Sequence, residues 1–141
     1  APARVVNVAS YWAGGLDLND LEFKRRSYDN GAAYRQSKQA NRLLTRAFAE
    51  RFDPRQVTVN VCHPGDVNSK LSNDLGFGGS ESADAGARTP VWLATAAKGG
   101  AETGKYFEAM REANDRFMAD NSAVEALYEV CLQYEPRIIN Q

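Results

Sequence analysis

Two β-branched runs that flank a long amphipathic helix restrict the folds open to this chain. Residues 4–9 and 57–62 are rich in valine, which indicates strands. Between them, apolar residues recur at the spacing of one helix face over 32–52. Pro54 ends that helix, because a proline disfavours helical geometry in the residue before it. A strand, a crossover helix and a second strand predict parallel pairing with a right-handed connection.

The remaining elements extend this unit to the order β-α-β-α-β-α. We predict a helix over 82–97, a short strand over 104–107 and a helix over 123–134. Strands that alternate with helices are typical of a parallel α/β sheet. The unbroken apolar run 4–9 further predicts a central strand that is buried on both of its faces.

The composition argues against several classes of protein. The 141 residues carry 17 basic and 18 acidic side chains, which gives a formal net charge of −1. A nucleic-acid-binding domain would be expected to carry a clearly positive net charge. No apolar run approaches the length of a membrane span. Cys62 and Cys131 lie far apart and offer no spacing typical of metal ligands. We therefore expect one domain with free thiols and no metal, in an intracellular, cytoplasmic protein.

Tyr34 and Lys38 form the first pair with a chemical interpretation. They lie four residues apart in the predicted helix and therefore project from one face, one turn apart. A cation beside a phenol favours its ionised form, so the pair suits proton transfer to or from a carbonyl or alcohol oxygen. By spacing alone, an aromatic ring packed beside a surface lysine is the more common explanation.

Two further segments follow the predicted strands at their carboxyl ends. Ser10 directly follows the first strand, and 64–69 follows the second. Ligands of open α/β sheets bind outside these ends, so both segments are expected at one site. Gly65 permits close backbone approach, while Val67 offers a backbone amide and Ser69 a hydroxyl to a ligand. The alternative for Ser10 is a turn or cap hydroxyl.

Three segments in this order resemble the C-terminal half of a short-chain dehydrogenase/reductase, most closely its retinol dehydrogenase-like branch. They are RVVNVAS at 4–10, YRQSKQAN at 34–41 and HPGDVNS at 63–69. Shorter segments that also resemble this branch are 86–89, 104–107 and 126–129. The resemblance implies the C-terminal half of a Rossmann-type, doubly wound parallel sheet with three α/β/α layers.

The resemblance also implies a role for individual residues. Tyr34 would be the general acid/base and would also contact the cofactor. Lys38 would favour the ionised form of Tyr34 and hold the nicotinamide ribose, and Ser10 would position and polarise the substrate oxygen. The segment that lines the nicotinamide would be formed by Pro64, Gly65, Val67 and Ser69, the last in place of the family's usual threonine. The implied reaction moves a hydride between NADP(H) or NAD(H), with NADP preferred, and an apolar alcohol or carbonyl substrate.

The sequence departs from the family pattern in two respects. Ala9-Ser10 replaces the usual serine pair, although the position assigned to catalysis is retained. The family's phosphate-binding glycine loop, its selector for the adenosine ribose and its catalytic asparagine have no match in the sequence. We therefore expect residues 1–141 to be the catalytic C-terminal portion of one NAD(P)-binding domain. We expect this portion to be inactive alone. We also expect it to pair either in a homo-oligomer or with the missing half of the sheet. Membrane anchoring through a segment outside the sequence stays open.

Two other functions remain open. A non-catalytic interaction or regulatory module would keep the α/β scaffold; the missing phosphate loop favours it and the retained Ser10, Tyr34 and Lys38 oppose it. A sugar-nucleotide epimerase shares the tyrosine and lysine pair and is the less favoured third candidate.

Several other residues carry weaker expectations. We interpret His63 as a pocket wall rather than a catalytic base, and Cys62 as a small buried apolar residue. Trp12 is expected to line the substrate side, whereas Trp92 is expected to pack the predicted helix over 82–97. The polar, glycine-rich stretch 69–80 is either a substrate lid or a plain mobile loop.

Overall fold

A computed structural model describes residues 2–134 of the chain. Its strands are β1 (Ala3–Val8), β2 (Val57–His63), β3 (Tyr106–Glu108) and β4 (Arg111–Ala113). Its α-helices are α1 (Asn30–Arg51), α2 (Lys70–Asp74), α3 (Ala83–Thr95) and α4 (Asn121–Leu132). The predicted strands and helices are therefore confirmed with small shifts of their ends, whereas α2 and β4 were not predicted.

The strands form one sheet in the order β1-β2-β3-β4. β1 and β2 pair in parallel from Ala3 opposite Val57 to Val8 opposite Cys62, and β2 pairs with β3 in the same sense. This arrangement confirms the predicted parallel unit. β4 runs antiparallel to β3, so the sheet is mixed at that edge.

Helices cover both faces of the sheet. On one face Cys62 and Phe107 pack against Leu93 of α3. The neighbouring strand residues Val61 and Tyr106 point to the opposite face, because successive side chains of a strand alternate. On that face α1 packs against α4 through a buried cluster made of Leu43, Ala47, Val124 and Leu127. The result is a Rossmann-type α/β fold with three layers.

Within residues 2–134 the first strand is less buried than its apolar run predicts. Val5 and Val8 of β1 are 42% and 40% exposed, whereas the five inner residues of β2 are all buried. Within residues 2–134 β1 has one hydrogen-bonded neighbour, β2, so that one of its flanks is uncovered. An apolar run reports strand propensity but not the number of neighbouring strands.

Local capping sets where α1 begins and ends. The Asp29 carboxylate accepts a hydrogen bond of 2.6 Å from the backbone N–H of Ala32, which is the usual N-cap interaction. At the other end the backbone N–H of Phe52 donates to the Phe48 carbonyl, and Pro54 follows shortly after. These boundaries place Tyr34 and Lys38 in the first half of the helix, next to the ends of β1 and β2.

Gly86 of α3 is held against Val67 in the loop after β2. A Cβ at Gly86 would lie 2.3 Å from Cγ2 of Val67, far inside van der Waals contact. Because the branched valine side chain has few alternative rotamers, it cannot easily move aside. The absence of a side chain at Gly86 therefore sets the position of the loop after β2.

We predict that Gly86→Ala lowers the free energy of unfolding by about 1–3 kcal/mol, the usual cost of overpacking. Urea unfolding of the complete gene product measures this. Gly14→Ala is the matched control, because a Cβ at Gly14 would meet no atom within 4 Å. Equal stability of the two variants would contradict the proposed contact with Val67.

Candidate active site

A cavity of about 340 Å³ opens at the carboxyl ends of β1 and β2. Its lining includes every residue that the sequence assigns to the site: Ser10, Tyr34, Lys38, Pro64, Gly65, Val67 and Ser69. The volume lies within the range of small-molecule sites. The structure thus brings the three predicted segments together, while the chemical role of each residue stays a prediction.

Tyr34 and Lys38 lie side by side on the first half of α1. The Lys38 Nζ atom is 5.6 Å from the centre of the Tyr34 ring. The same ammonium donates a hydrogen bond of 3.0 Å to the backbone carbonyl of Val8, at the end of β1. Partial burial lowers the pKa of Lys38, because desolvation disfavours the charged form. The lysine is therefore fixed between helix and strand, unlike a freely moving surface side chain.

Ser10 is buried two residues beyond β1. Its hydroxyl oxygen accepts a hydrogen bond of 3.2 Å from the backbone N–H of Trp12, so the turn role considered for it is present. Its backbone carbonyl accepts a much shorter bond, 2.6 Å, from the Arg42 guanidinium. The residue before it, Ala9, still donates to the Cys62 carbonyl and thereby extends the β1–β2 ladder. Several contacts thus fix the backbone that carries the Ser10 hydroxyl.

The loop after β2 is fixed by contacts within the protein. Gly65 has a φ of +102°, and a Cβ at this position would lie 2.8 Å from a carboxylate oxygen of Glu81. The lack of a side chain at Gly65 therefore lets the Glu81 carboxylate approach the backbone closely. The Ser69 hydroxyl oxygen accepts a bond of 3.1 Å from the backbone N–H of Ser72 and caps α2. A ligand role for Ser69 therefore shares the hydroxyl with a structural one.

Aromatic rings form one wall of the cavity. Trp12 stacks on Phe77 with ring centres 5.0 Å apart, and Phe77 meets the Tyr34 ring edge-on at 6.1 Å. The Tyr11 ring centre lies 5.6 Å from that of Trp12 and 5.1 Å from that of His63. Trp12 lines the cavity, while its place on the substrate side stays a prediction. Sequence reasoning missed Tyr11 and Phe77, although Phe77 is the only aromatic residue in the polar stretch 69–80.

His63 and Cys62 occupy the places expected of them. His63 lines the cavity, and burial lowers the pKa of its imidazole, with Glu108 acting in the opposite direction. Its Nδ1 atom is buried with no hydrogen-bond partner among the described residues. Cys62 is fully buried, and desolvation raises the pKa of its thiol to about 11. Trp92 lies in α3, and its ring packs edge-on against Phe107 of β3.

No group of three or more His, Cys, Asp or Glu side chains in the described part of the chain is arranged to hold a metal ion. No helix between residues 2 and 134 combines the length and the apolar character that are needed to span a bilayer.

The chain was compared with known proteins. No model of a protein family matches it. It is 33% identical over 129 residues to human retinol dehydrogenase 13, which covers 79% of this chain and 39% of that protein. The chain therefore spans well under half the length of this curated relative.

Solved structures show the same fold. A crystal structure of an uncharacterised protein from Mycobacterium paratuberculosis superposes with a TM-score of 0.73 at 25% identity, over 94% of this chain and 50% of that one. Salutaridine reductase from Papaver somniferum superposes with a TM-score of 0.54 at 21% identity, over 75% of this chain and 45% of that one. The shared fold and the identity to retinol dehydrogenase 13 agree with the order of the three sequence segments: the chain belongs to the short-chain dehydrogenase/reductase family.

Proposed function

We propose that the protein is an oxidoreductase that transfers a hydride between NADP(H) or NAD(H) and an alcohol or carbonyl substrate. One observation carries this proposal: Ser10, Tyr34 and Lys38, from two separate parts of the chain, line one cavity at the carboxyl ends of parallel strands. The name of human retinol dehydrogenase 13 describes an oxidoreductase and supports the same reaction class.

The lining of the cavity fits the nicotinamide end of a dinucleotide. Apolar side chains of Val8, Pro64 and Val67 offer flat contact surface for a ring. The Lys38 ammonium lies at the same cavity and can donate to ribose hydroxyls, because Nζ has three donors and one is engaged by the Val8 carbonyl. When bound, the nicotinamide would donate or accept the hydride.

Tyr34 moves the proton in the proposed mechanism. In the reductive direction its phenol donates a proton to the substrate oxygen, and in the oxidative direction it accepts one from the alcohol. Lys38 beside the ring stabilises the phenolate that remains after donation. Because the Val8 carbonyl holds the ammonium in place, this charge need not reorganise during the transfer.

Ser10 acts on the same substrate oxygen as Tyr34. Its hydroxyl donates a hydrogen bond to that oxygen, which polarises the carbonyl and orients it toward Tyr34. The N–H of Trp12 already bonds to the hydroxyl oxygen and leaves the hydroxyl proton for the substrate. The bond thus helps to keep the donor direction fixed.

The aromatic wall supports an apolar substrate. Trp12 and Phe77 are partly exposed and stack on each other at the cavity, next to the Tyr34 ring. Flat apolar surface of this kind favours a bulky, apolar carbonyl compound over a small, hydrated one. Trp12 and Phe77 are therefore the residues that we expect to contact an apolar substrate.

We predict that Tyr34→Phe lowers kcat at least about 100-fold, because it removes the proton donor and leaves the ring in place. The assay follows NADPH or NADH oxidation by the complete gene product with a panel of aldehydes and ketones. Tyr28→Phe is the matched control, since Tyr28 is exposed and does not line the cavity. Turnover that is indifferent to Tyr34→Phe would favour the non-catalytic module instead.

We also predict that Phe77→Ala raises KM for bulky apolar aldehydes about tenfold and leaves KM for short aliphatic aldehydes unchanged. Steady-state kinetics over an aldehyde series measures the difference. Phe52→Ala is a close control, because Phe52 is 43% exposed against 41% for Phe77 and also stacks on a ring, that of Phe48. An equal change of KM for long and short aldehydes would argue against an aromatic substrate wall.

A further inference from the structure

Arg42 is a buried cation that the proposed reaction does not use. It lies in α1, four residues beyond Lys38, and its side chain is 7% exposed. A helical arginine usually extends its charged group into water, and burying that charge is strongly unfavourable unless it is paired and hydrogen-bonded. The hydrogen-bond partners of the buried guanidinium therefore indicate which parts of the protein Arg42 holds in place.

The Arg42 guanidinium donates in three directions. Nη1 bonds to Oδ2 of Asp115 at 2.9 Å. Nη2 bonds to the Ser10 carbonyl at 2.6 Å and to the Tyr106 hydroxyl at 2.8 Å. The guanidinium carbon also lies 3.9 Å from the centre of the Tyr106 ring. A planar guanidinium can make these contacts together, whereas a lysine ammonium cannot reproduce their geometry.

Asp115 fixes the other end of this arrangement. Its side chain is 3% exposed. Its Oδ1 atom accepts bonds from the backbone N–H groups of Phe117, at 2.8 Å, and Met118, at 3.3 Å. The carboxylate is thus held by the turn that follows β4, and it presents its second oxygen to Arg42. Charge-assisted bonds of this kind are stronger and more directional than neutral ones.

Tyr106 extends the network toward β3. Its hydroxyl accepts from Arg42 and donates to the Glu108 carboxylate. Burial raises the pKa of Tyr106, and the bond to Glu108 raises it further, so that the phenol remains a neutral donor. Tyr106 of β3 and Asp115 of the turn after β4 therefore both hold the Arg42 guanidinium in place.

The position of Arg42 on α1 relates this network to the proposed chemistry. Tyr34, Lys38 and Arg42 follow at four-residue intervals and share one helix face. Lys38 bonds to the Val8 carbonyl and Arg42 to the Ser10 carbonyl. Two side chains one turn apart on α1 therefore bind two carbonyls, two residues apart, in the segment from Val8 to Ser10.

We infer that Arg42, clamped by Asp115, is a positioning residue that sets the place of the Ser10 hydroxyl relative to Tyr34. This inference rests on the proposed function. A displacement of about 1 Å at a reacting group can cost up to about 100-fold in rate, so a bond to the Ser10 backbone has leverage on turnover. A purely structural role would predict lower stability with kinetics unchanged in the molecules that still fold.

The test is a double-mutant cycle between Arg42→Met and Ser10→Ala in the complete gene product. We expect Arg42→Met to lower kcat about 10–100-fold with KM for NADPH within about twofold of the parent. In the Ser10→Ala background the same change should lower kcat less than about twofold, because the group that it positions is gone. An equal loss in both backgrounds overturns the inference.

Two further variants guard against a loss of folding. Arg42→Lys and Asp115→Asn keep polar groups of similar size and should each lower kcat at an unchanged KM for NADPH, with the assay run well below every measured Tm. Arg51→Met is the control: Arg51 lies on the same helix and covers the Tyr128 ring, but it donates to the Ala47 carbonyl and to Glu125 instead of the Ser10 backbone. It should lower Tm and leave kcat unchanged.

The outcomes separate this inference from the proposed function. If Tyr34→Phe leaves turnover intact, the proposed function fails and the inference falls with it. If Tyr34→Phe abolishes turnover but Ser10→Ala does not change it, the oxidoreductase proposal stands and the inference is overturned. Likewise, unchanged kcat in both Arg42→Lys and Asp115→Asn overturns the inference alone.

Discussion

The arrangement of the site depends on hydrogen bonds between α1 and the backbone at the end of β1. A parallel strand leaves its last carbonyls beyond the ladder, where side chains of a neighbouring helix can donate to them. Lys38 and Asn41 both donate to the Val8 carbonyl, and Arg42 donates to the Ser10 carbonyl. Because the same helix also carries Tyr34, the pairing of α1 with this strand end aligns the proposed proton donor with the proposed substrate-binding hydroxyl.

Local patterns in the sequence predict the elements that carry this alignment. Valine-rich runs and one long amphipathic segment predict β1, α1 and β2, because strand and helix propensity act over a few residues. The site residues follow from the same elements: Ser10 and 64–69 come after strands, and ligands of such sheets bind at those ends. Positions that depend on where an element begins or ends are therefore predictable.

Features that depend on contacts distant in sequence are not predictable in this way. The turn between β3 and β4 uses Ala109 and Met110 at φ values of 47° and 61°, where glycine or asparagine would be the usual signal. Strand β4, which is three residues long, contains no alternating apolar pattern to find. Arg42 likewise follows the pattern of a solvated helix face, although Asp115 and Tyr106 bury it. Tertiary contacts override local preference at these positions.

The β3–β4 hairpin and the turn after it then acquire a part in the site although they lie far from Tyr34 in sequence. Tyr106 in β3 and Asp115 after β4 both bond to Arg42, which bonds to Ser10. A buried ion pair contributes little net stability compared with apolar packing, because desolvation offsets the attraction between the charges. The ion pair instead fixes the orientation of the guanidinium. With Asp115 and the Tyr106 hydroxyl as fixed acceptors, the guanidinium is held so that Nη2 points at the Ser10 backbone. The geometry at Ser10 is consequently set as much by the C-terminal third of the chain as by the strand that it follows.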